Sequence, residues 1–266
     1  MYSGCFGHLV TVFGQENGNY LLDDRSQKPL TVSAETLGQA RGRIGSYKNR
    51  LLLLQSKGND FDLPGAIMAG LEDCVDYLSQ SSQTFALPVY KKWAKMMTDP
   101  KNKKGWPVVF KEKVGLYSTL CSLHEGIKLF GTEGGGLRRF YADFLDEADA
   151  IMNLKGLSDA AEQYRAVADL WSAFAVAVLP DEIAPLKETK ALLAQKYHLF
   201  LTQGTEADVE MRQLSQQLQD KEMALNGRFP ISDSDMHNLF ADMQSHLEII
   251  YSAEQEALAA LAGAIS

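Results

Sequence analysis

Ala160, Tyr164, Val167, Trp171, Phe174 and Val178 recur at alternating spacings of four and three. That rhythm sets all six on one stripe of a single helix. The same reading gives helices over 65–80, 86–98, 113–130, 137–152, 158–179, 182–203, 205–225 and 232–262. The last carries Leu239, Phe240, Met243, Leu247, Ile250 and Leu258 on one broad face. Ser232 with Asp235, and Thr205 with Asp208, read as capping boxes with Asp in place of Glu. Most of the chain is therefore a helical assembly.

The first 56 residues read differently. Leu9-Val10-Thr11-Val12-Phe13 is β-branched and apolar, Asn17-Gly18 is a strong reversal signal, and Tyr20-Leu21-Leu22-Asp23 follows. This is a hairpin. Ser33 predicts the N-cap of a short helix ending near Arg41. Arg50 to Gln55, with the aliphatic run Leu51–Leu54, predicts a buried strand. Residues 57–64 are polar and turn-forming, which divides the chain into 1–56 and 57–266. The expected fold class is α+β, a small antiparallel β piece followed by a large, mainly α-helical domain. A hairpin, one helix and one more strand cannot bury both faces of a sheet. The β piece should therefore lean on the helices, on another chain, or on residues upstream of Met1.

At 266 residues the chain has room for one or two domains and for a sizeable core. Its net charge of −8 argues against general nucleic-acid binding. No apolar run approaches the roughly 20 residues of a membrane span. Met1-Tyr2-Ser3-Gly4-Cys5 has neither the basic nor the apolar region of a signal peptide. Three irregularly spaced cysteines (Cys5, Cys74 and Cys121) fit a reducing cytoplasm. Cys74 and Cys121 sit in apolar helical text and should be buried and inert.

Three groups of residues carry chemistry. His8 precedes the first strand, and Asp23 and Asp24 end the second. A hairpin returns those acids to the His8 end, where one carboxylate could orient the imidazole. Side chains alternate, so only one of the two acids can serve. The plainer alternative is that His8 and the acid merely cap loops.

The second group is Gly131-Thr132-Glu133-Gly134-Gly135-Gly136, followed by Arg138, Arg139 and Tyr141. A glycine-rich turn opening a helix presents free N–H groups and a positive dipole end. Gly134, Gly135, Gly136, Arg138 and Tyr141 are thus candidates for an anionic ligand such as carboxylate, phosphate or phosphopantetheine. Glu133 opposes that reading, and a tight helix–helix turn explains the glycines equally well. The spacing is neither that of a P-loop nor of a dinucleotide fingerprint.

The third group is basic. Residues 88–113 hold Lys91, Lys92, Lys95, Lys101, Lys103, Lys104, Lys111 and Lys113 against Asp99 and Glu112. This local +6 leaves −14 on the rest of the chain. With Trp93, Trp106 and Phe110 interleaved, Lys101, Lys103, Lys104 and Trp106 read as a docking face for an acidic partner. A solvated lysine-rich loop is the competing reading. The five histidines show no metal-ligand spacing, so no metal site is expected.

Three stretches resemble a known family. They are Gly7-His8-Leu-Val-Thr-Val-Phe-Gly, Tyr20-Leu-Leu-Asp-Asp24-Arg25-Ser26, and Pro29-Leu-Thr-Val-Ser33 with Leu37, Ala40 and Arg41. Together they look like the second half of the papain-like (C39-peptidase-like) domain of the butirosin-biosynthesis acyltransferase family. Trp93, Asp99-Pro-Lys-Asn-Lys-Lys-Gly-Trp106-Pro and Gly131 to Ala148 are similar to that family's helical C-terminal domain. The resemblance covers roughly 5–55 and 86–180. It implies a Cys-His-Asp acyltransferase of secondary metabolism, passing an acyl group from a carrier-protein thioester to an amine such as an aminoglycoside. His8 matches the family's His and Asp24 its Asp, with Asp23 as the fallback.

The family's nucleophilic Cys lies more than a hundred residues before its His, and that segment has no counterpart here. Cys5 is the nearest thiol. It stands at odd separation from His8 in extended text, so the two side chains would face opposite ways. The expectation is a chain that is inactive alone or a fragment, with no cofactor beyond a phosphopantetheine-linked donor. Alternatives are a non-catalytic helical module binding a carrier protein or small anion, and a cysteine peptidase or amidase. Self-association is left open.

Overall fold

A computed structural model describes residues 9–43, 45, 49–53, 61–129 and 134–266. The fold class is α+β. Three strands, β1 (Thr11–Glu16), β2 (Asn19–Asp23) and β3 (Leu30–Ser33), form one antiparallel sheet in the order β1-β2-β3. Ten α-helices follow among the described residues: α1 (Ala34–Gly42), α2 (Leu63–Leu78), α3 (Pro88–Thr98), α4 (Trp106–Val109), α5 (Leu116–His124), α6 (Arg138–Met152), α7 (Leu157–Ala177), α8 (Ala184–Gln203), α9 (Asp208–Leu225) and α10 (Asp233–Ala264). A π turn, Glu125–Leu129, extends α5, and a 3₁₀ turn, Gly204–Ala207, joins α8 to α9.

The chain divides into two compact units. One comprises Met1–Asp60 and Ala191–Lys221, the other Phe61–Lys190 and Glu222–Ser266. The division falls inside α8 and α9.

In the unit containing the sheet, the hairpin turns at Asn17 and Gly18, both at positive φ (49° and 80°), as a two-residue turn with matching strand twist requires. Thr11 pairs with Asp23, and the register slips at Phe13 between the Val12–Leu22 and Gly14–Leu21 pairs. Ser33 caps α1, its hydroxyl accepting from the Thr36 N–H at 3.1 Å. Among the strand residues Leu22 alone is buried, and α1 buries none. The sheet is fastened largely by polar contacts to the 191–221 segment. The Gln27 N–H donates to the Leu201 carbonyl at 2.8 Å, the Thr31 N–H donates to Thr205 Oγ1 at 2.8 Å, and Lys28 pairs with Glu206 at 2.6 Å. The Thr205 hydroxyl therefore serves β3 instead of acting in a capping box. Leu199, Ala207 and Leu214, flanked by Leu192 and Met211, form a small apolar cluster.

The expected buried strand at 50–55 is corrected where it is described. Leu51, Leu52 and Leu53 have no strand structure and are exposed. Length and hydrophobicity suit a strand, but pairing makes one, and these residues pair with none of the three strands. Leu54 and Gln55 lie outside the described residues.

The helical unit has a thick core. α7 packs on α6 and α10, and α10 also packs on α3. Every member of the predicted α7 stripe is buried, as is the predicted face of α10. Trp93 and Trp171 stand edge-on to Phe174 at 5.7 and 5.9 Å, and Trp106 to Phe240 at 5.3 Å. Fully burying a side chain such as Phe174 or Phe240 contributes about 1.5–3 kcal/mol. Ser232 caps α10, accepting from the Asp235 N–H at 3.0 Å.

Candidate functional site

His8 and Cys5 lie outside the described residues, as do Gly131, Thr132 and Glu133. The acids proposed to serve His8 are described. Asp23 is paired across the hairpin with Thr11, three residues after His8 in sequence. Asp23 Oδ1 accepts from the Arg25 N–H at 3.1 Å, with Arg25 at φ 63°. This carboxylate thus holds the turn that ends β2. Asp24 is half-buried at the same end of the sheet.

The end of the glycine stretch is tightly packed. A Cβ on Gly135 would lie 2.5 Å from Ala168 Cβ and 3.0 Å from Ala168 Cα on α7, so only glycine fits. Leu137, at φ 70°, leads into α6, whose first residue is Arg138. Arg138 turns inward. Its Nε donates to Glu254 Oε1 at 2.8 Å, its Nη2 to the Tyr90 hydroxyl at 2.9 Å, and its Nη1 to the Gly136 carbonyl at 2.8 Å, while Nη2 lies 2.7 Å from Glu254 Oε1 as an ion pair. Trp171 Nε1 donates to the same Glu254 oxygen at 2.9 Å, and the guanidinium lies 5.6 Å from the Trp171 ring centre. Burial works against the Arg138 charge, but Glu254 and Tyr90 outweigh it and hold the pKa above its ordinary value. Any anion at the glycine turn would have to compete with Glu254 for this cation.

Tyr141, three residues on, also points into the bundle. Its hydroxyl donates to Cys74 Sγ at 3.4 Å, and its ring meets Tyr164 edge-on at 4.8 Å. Burial, then the Cys74 contact, raises the Tyr141 pKa. Cys74 is half-buried and Cys121 fully buried, and burial pushes the Cys121 thiol up to about 12. The buried Cys121 thiol is not set up as a nucleophile.

His124, on α5, is buried with Nδ1 2.7 Å from the Ala175 carbonyl. Burial lowers its pKa, with Lys190 and Lys128 adding to the effect.

The basic stretch has two parts. Lys113 is tied down, donating to the Ile231 carbonyl at 2.7 Å and pairing with Asp233 at 3.0 Å. Lys101, Lys103 and Lys104 are exposed. Trp106 is half-buried against Phe110 and Phe240, so it anchors α4 to the core.

Sequence reading alone missed Glu254 and Tyr90. Arg138 and Glu254 are 116 residues apart, and no local pattern couples them. A Glu on the buried face of an otherwise apolar helix was the one available signal.

Among the described residues no cluster of three or more His, Cys, Asp or Glu could hold a metal ion, and no helix is long and apolar enough to cross a membrane. The fold thus defines an α+β protein with a small sheet and a helical assembly that holds a partly buried Arg138 against the buried Glu254. The chain belongs to the family described as "Domain of unknown function (DUF4872)", which it matches over residues 35–199. No curated protein and no solved structure matches it.

Proposed function

We propose that the chain takes part in thiol-based acyl transfer in secondary metabolism, with His8 as the base and Asp24 as its orienting acid. The observation that carries this reading is the hairpin register, which pairs the end of β2 with the start of β1, the strand His8 leads into. Asp24, followed by Arg25, is the acid that the family resemblance points to, with Asp23 as the fallback.

In this reaction the imidazole takes the proton of a cysteine thiol. The thiolate attacks the carrier thioester carbonyl, the carrier thiol leaves with a proton, and an acyl-cysteine remains. An amine acceptor attacks that acyl group while His8 shuttles its proton, and the amide forms as the thiol is restored. The nucleophile would come from outside these 266 residues, because Cys5 stands at odd separation from His8 in the sequence and the Cys121 thiol is buried. The donor would be a phosphopantetheine-linked thioester in the cytoplasm, and butirosin-type antibiotic assembly is the model chemistry.

Nuclear magnetic resonance of the His8 ring tests the pairing directly. Asp24→Asn should change the ring's tautomer balance and titration, and Asp23→Asn should not. A ring indifferent to Asp24 would remove the basis of this reading. In assays with a carrier thioester and an amine, the chain alone should be inactive. Activity lost in both Cys5→Ser and His8→Ala would make Cys5 the nucleophile.

A second reading is a non-catalytic module that binds a carrier protein or a small anion. The exposed Lys101, Lys103 and Lys104 favour it. It predicts binding that survives His8→Ala and weakens with salt. A peptidase or amidase would use the same thiol chemistry with water as acceptor, and no observation favours it.

A further inference from the structure

Lys91, Lys92 and Lys95 are exposed on α3, Lys101, Lys103 and Lys104 on the α3–α4 connection, and Lys111 just after α4. Among the described residues none of the seven forms an ion pair with a carboxylate. In contrast, Lys28, Lys113, Arg138, Arg139, Arg165, Lys190 and Arg212 each do. On α3, Lys95 lies one turn from both Lys91 and Lys92, so the three share a face.

The connection that carries the next three lysines is held by its own polar groups. Asp99 Oδ1 accepts from the Lys101 N–H at 2.9 Å, Asn102 Oδ1 accepts from the Lys104 N–H at 3.0 Å, and the Gly105 N–H donates to the Asn102 carbonyl at 2.8 Å. The lysines therefore project from a fixed backbone, which lowers the ordering cost of binding.

The same stretch of chain also exposes apolar side chains. On α4 Trp106 is turned onto Phe110 and Phe240, while Val108 and Val109 are left 43% and 53% exposed, and Val114 is 58% exposed. Exposed valines and exposed lysines within one stretch supply the two components of a protein interface, apolar contact and a charged rim. Phosphate polymers and lipid headgroups offer these valines no matching apolar surface. The remainder of the chain, at −14, repels extended polyanions. Screening confines the lysine field to about 8 Å at physiological salt, so a compact acidic ligand feels it most.

We propose that α3, α4 and their connection form a docking surface for an amphipathic acidic helix of a partner protein. The valines would cover its apolar stripe, and the lysines would pair with its flanking carboxylates. This proposal rests on the binding-module reading and is independent of acyl transfer.

The test uses the full chain and a fluorescein-labelled, glutamate-rich helical peptide with one leucine stripe. Its comparators are a scramble of the same composition that destroys the stripe, an oligothymidine, and phosphatidylserine vesicles. The striped peptide should bind about tenfold more tightly than the scramble and lose about tenfold or more in affinity from low to high salt. Lys101→Glu/Lys103→Glu/Lys104→Glu should reduce affinity at least about tenfold, and Val108→Ser/Val109→Ser about tenfold at every salt concentration. Lys91→Ala/Lys92→Ala/Lys95→Ala provides a second set that leaves the α3–α4 connection untouched, and thermal melting checks that each variant is folded. Absence of peptide binding, indifference to charge reversal in folded protein, or tighter binding of oligothymidine or vesicles would overturn the proposal. The readout is binding alone, so its failure leaves the His8 reading standing.

Discussion

The two units are stabilised in opposite ways. In the sheet-bearing unit the strands bury one side chain, Leu22, and are fastened by backbone and side-chain hydrogen bonds and the exposed Lys28–Glu206 pair. In the other unit α7 and α10 bury continuous apolar faces around the Arg138–Glu254 pair. Exposed ion pairs contribute little, about 0–1 kcal/mol. A sheet held this way opens easily unless further apolar surface covers Val12, Phe13 and Leu51 to Leu53, all exposed here. What differs between the units is how much apolar surface each element buries.

The sharpest measure of that contrast is amide hydrogen exchange. Amides of β1–β3 should exchange about a thousandfold faster than those in the middle of α7 and α10, roughly 4 kcal/mol less protection. Equal protection would break the comparison and show that the sheet has cover not seen in this chain. Next in size, Glu254→Ala leaves a partly buried guanidinium and a buried indole N–H without their acceptor, and should cost about 2–3 kcal/mol in denaturant unfolding. Arg138→Met combined with Glu254→Leu should recover most of the loss, because apolar replacement removes both charges together. Gly135→Ala drives a methyl group into Ala168 and should cost about 1–3 kcal/mol.

The smallest effect is set by pH. His124 has a folded-state pKa below its ordinary 6.5 because it is buried, so the unfolded chain takes up a proton more readily. Its contribution to stability is whole above about pH 6.5 and is lost as pH falls toward the folded value. His124→Gln should flatten that part of the stability–pH curve. An unchanged slope would mean that other groups set it.

The local signals in the sequence translated well into structure. Asn17-Gly18, the Ser33 cap, the Ser232 cap and the α7 stripe each depend on residues within one or two turns of one another, and each is found where the spacing put it. Long-range choices were not legible. The Thr205 hydroxyl is taken by Thr31, 174 residues away. Leu51 to Leu53 have strand-forming composition but no paired strand. Arg138 was readable as a cation opening a helix, but whether it meets a ligand or a carboxylate depended on Glu254, far along the chain. For His8 the sequence and the hairpin register carry the reading, because the residue lies outside those described.

The Glu254 link also bears on where the chain can be cut. The family match closes at residue 199, yet the carboxylate that neutralises Arg138, and the helix face that covers α7 and α3, come from 233–264. A truncation at the edge of the match would leave a cation and a wide apolar strip facing water, and such a fragment should aggregate. The smallest piece of this protein worth expressing therefore reaches past α10.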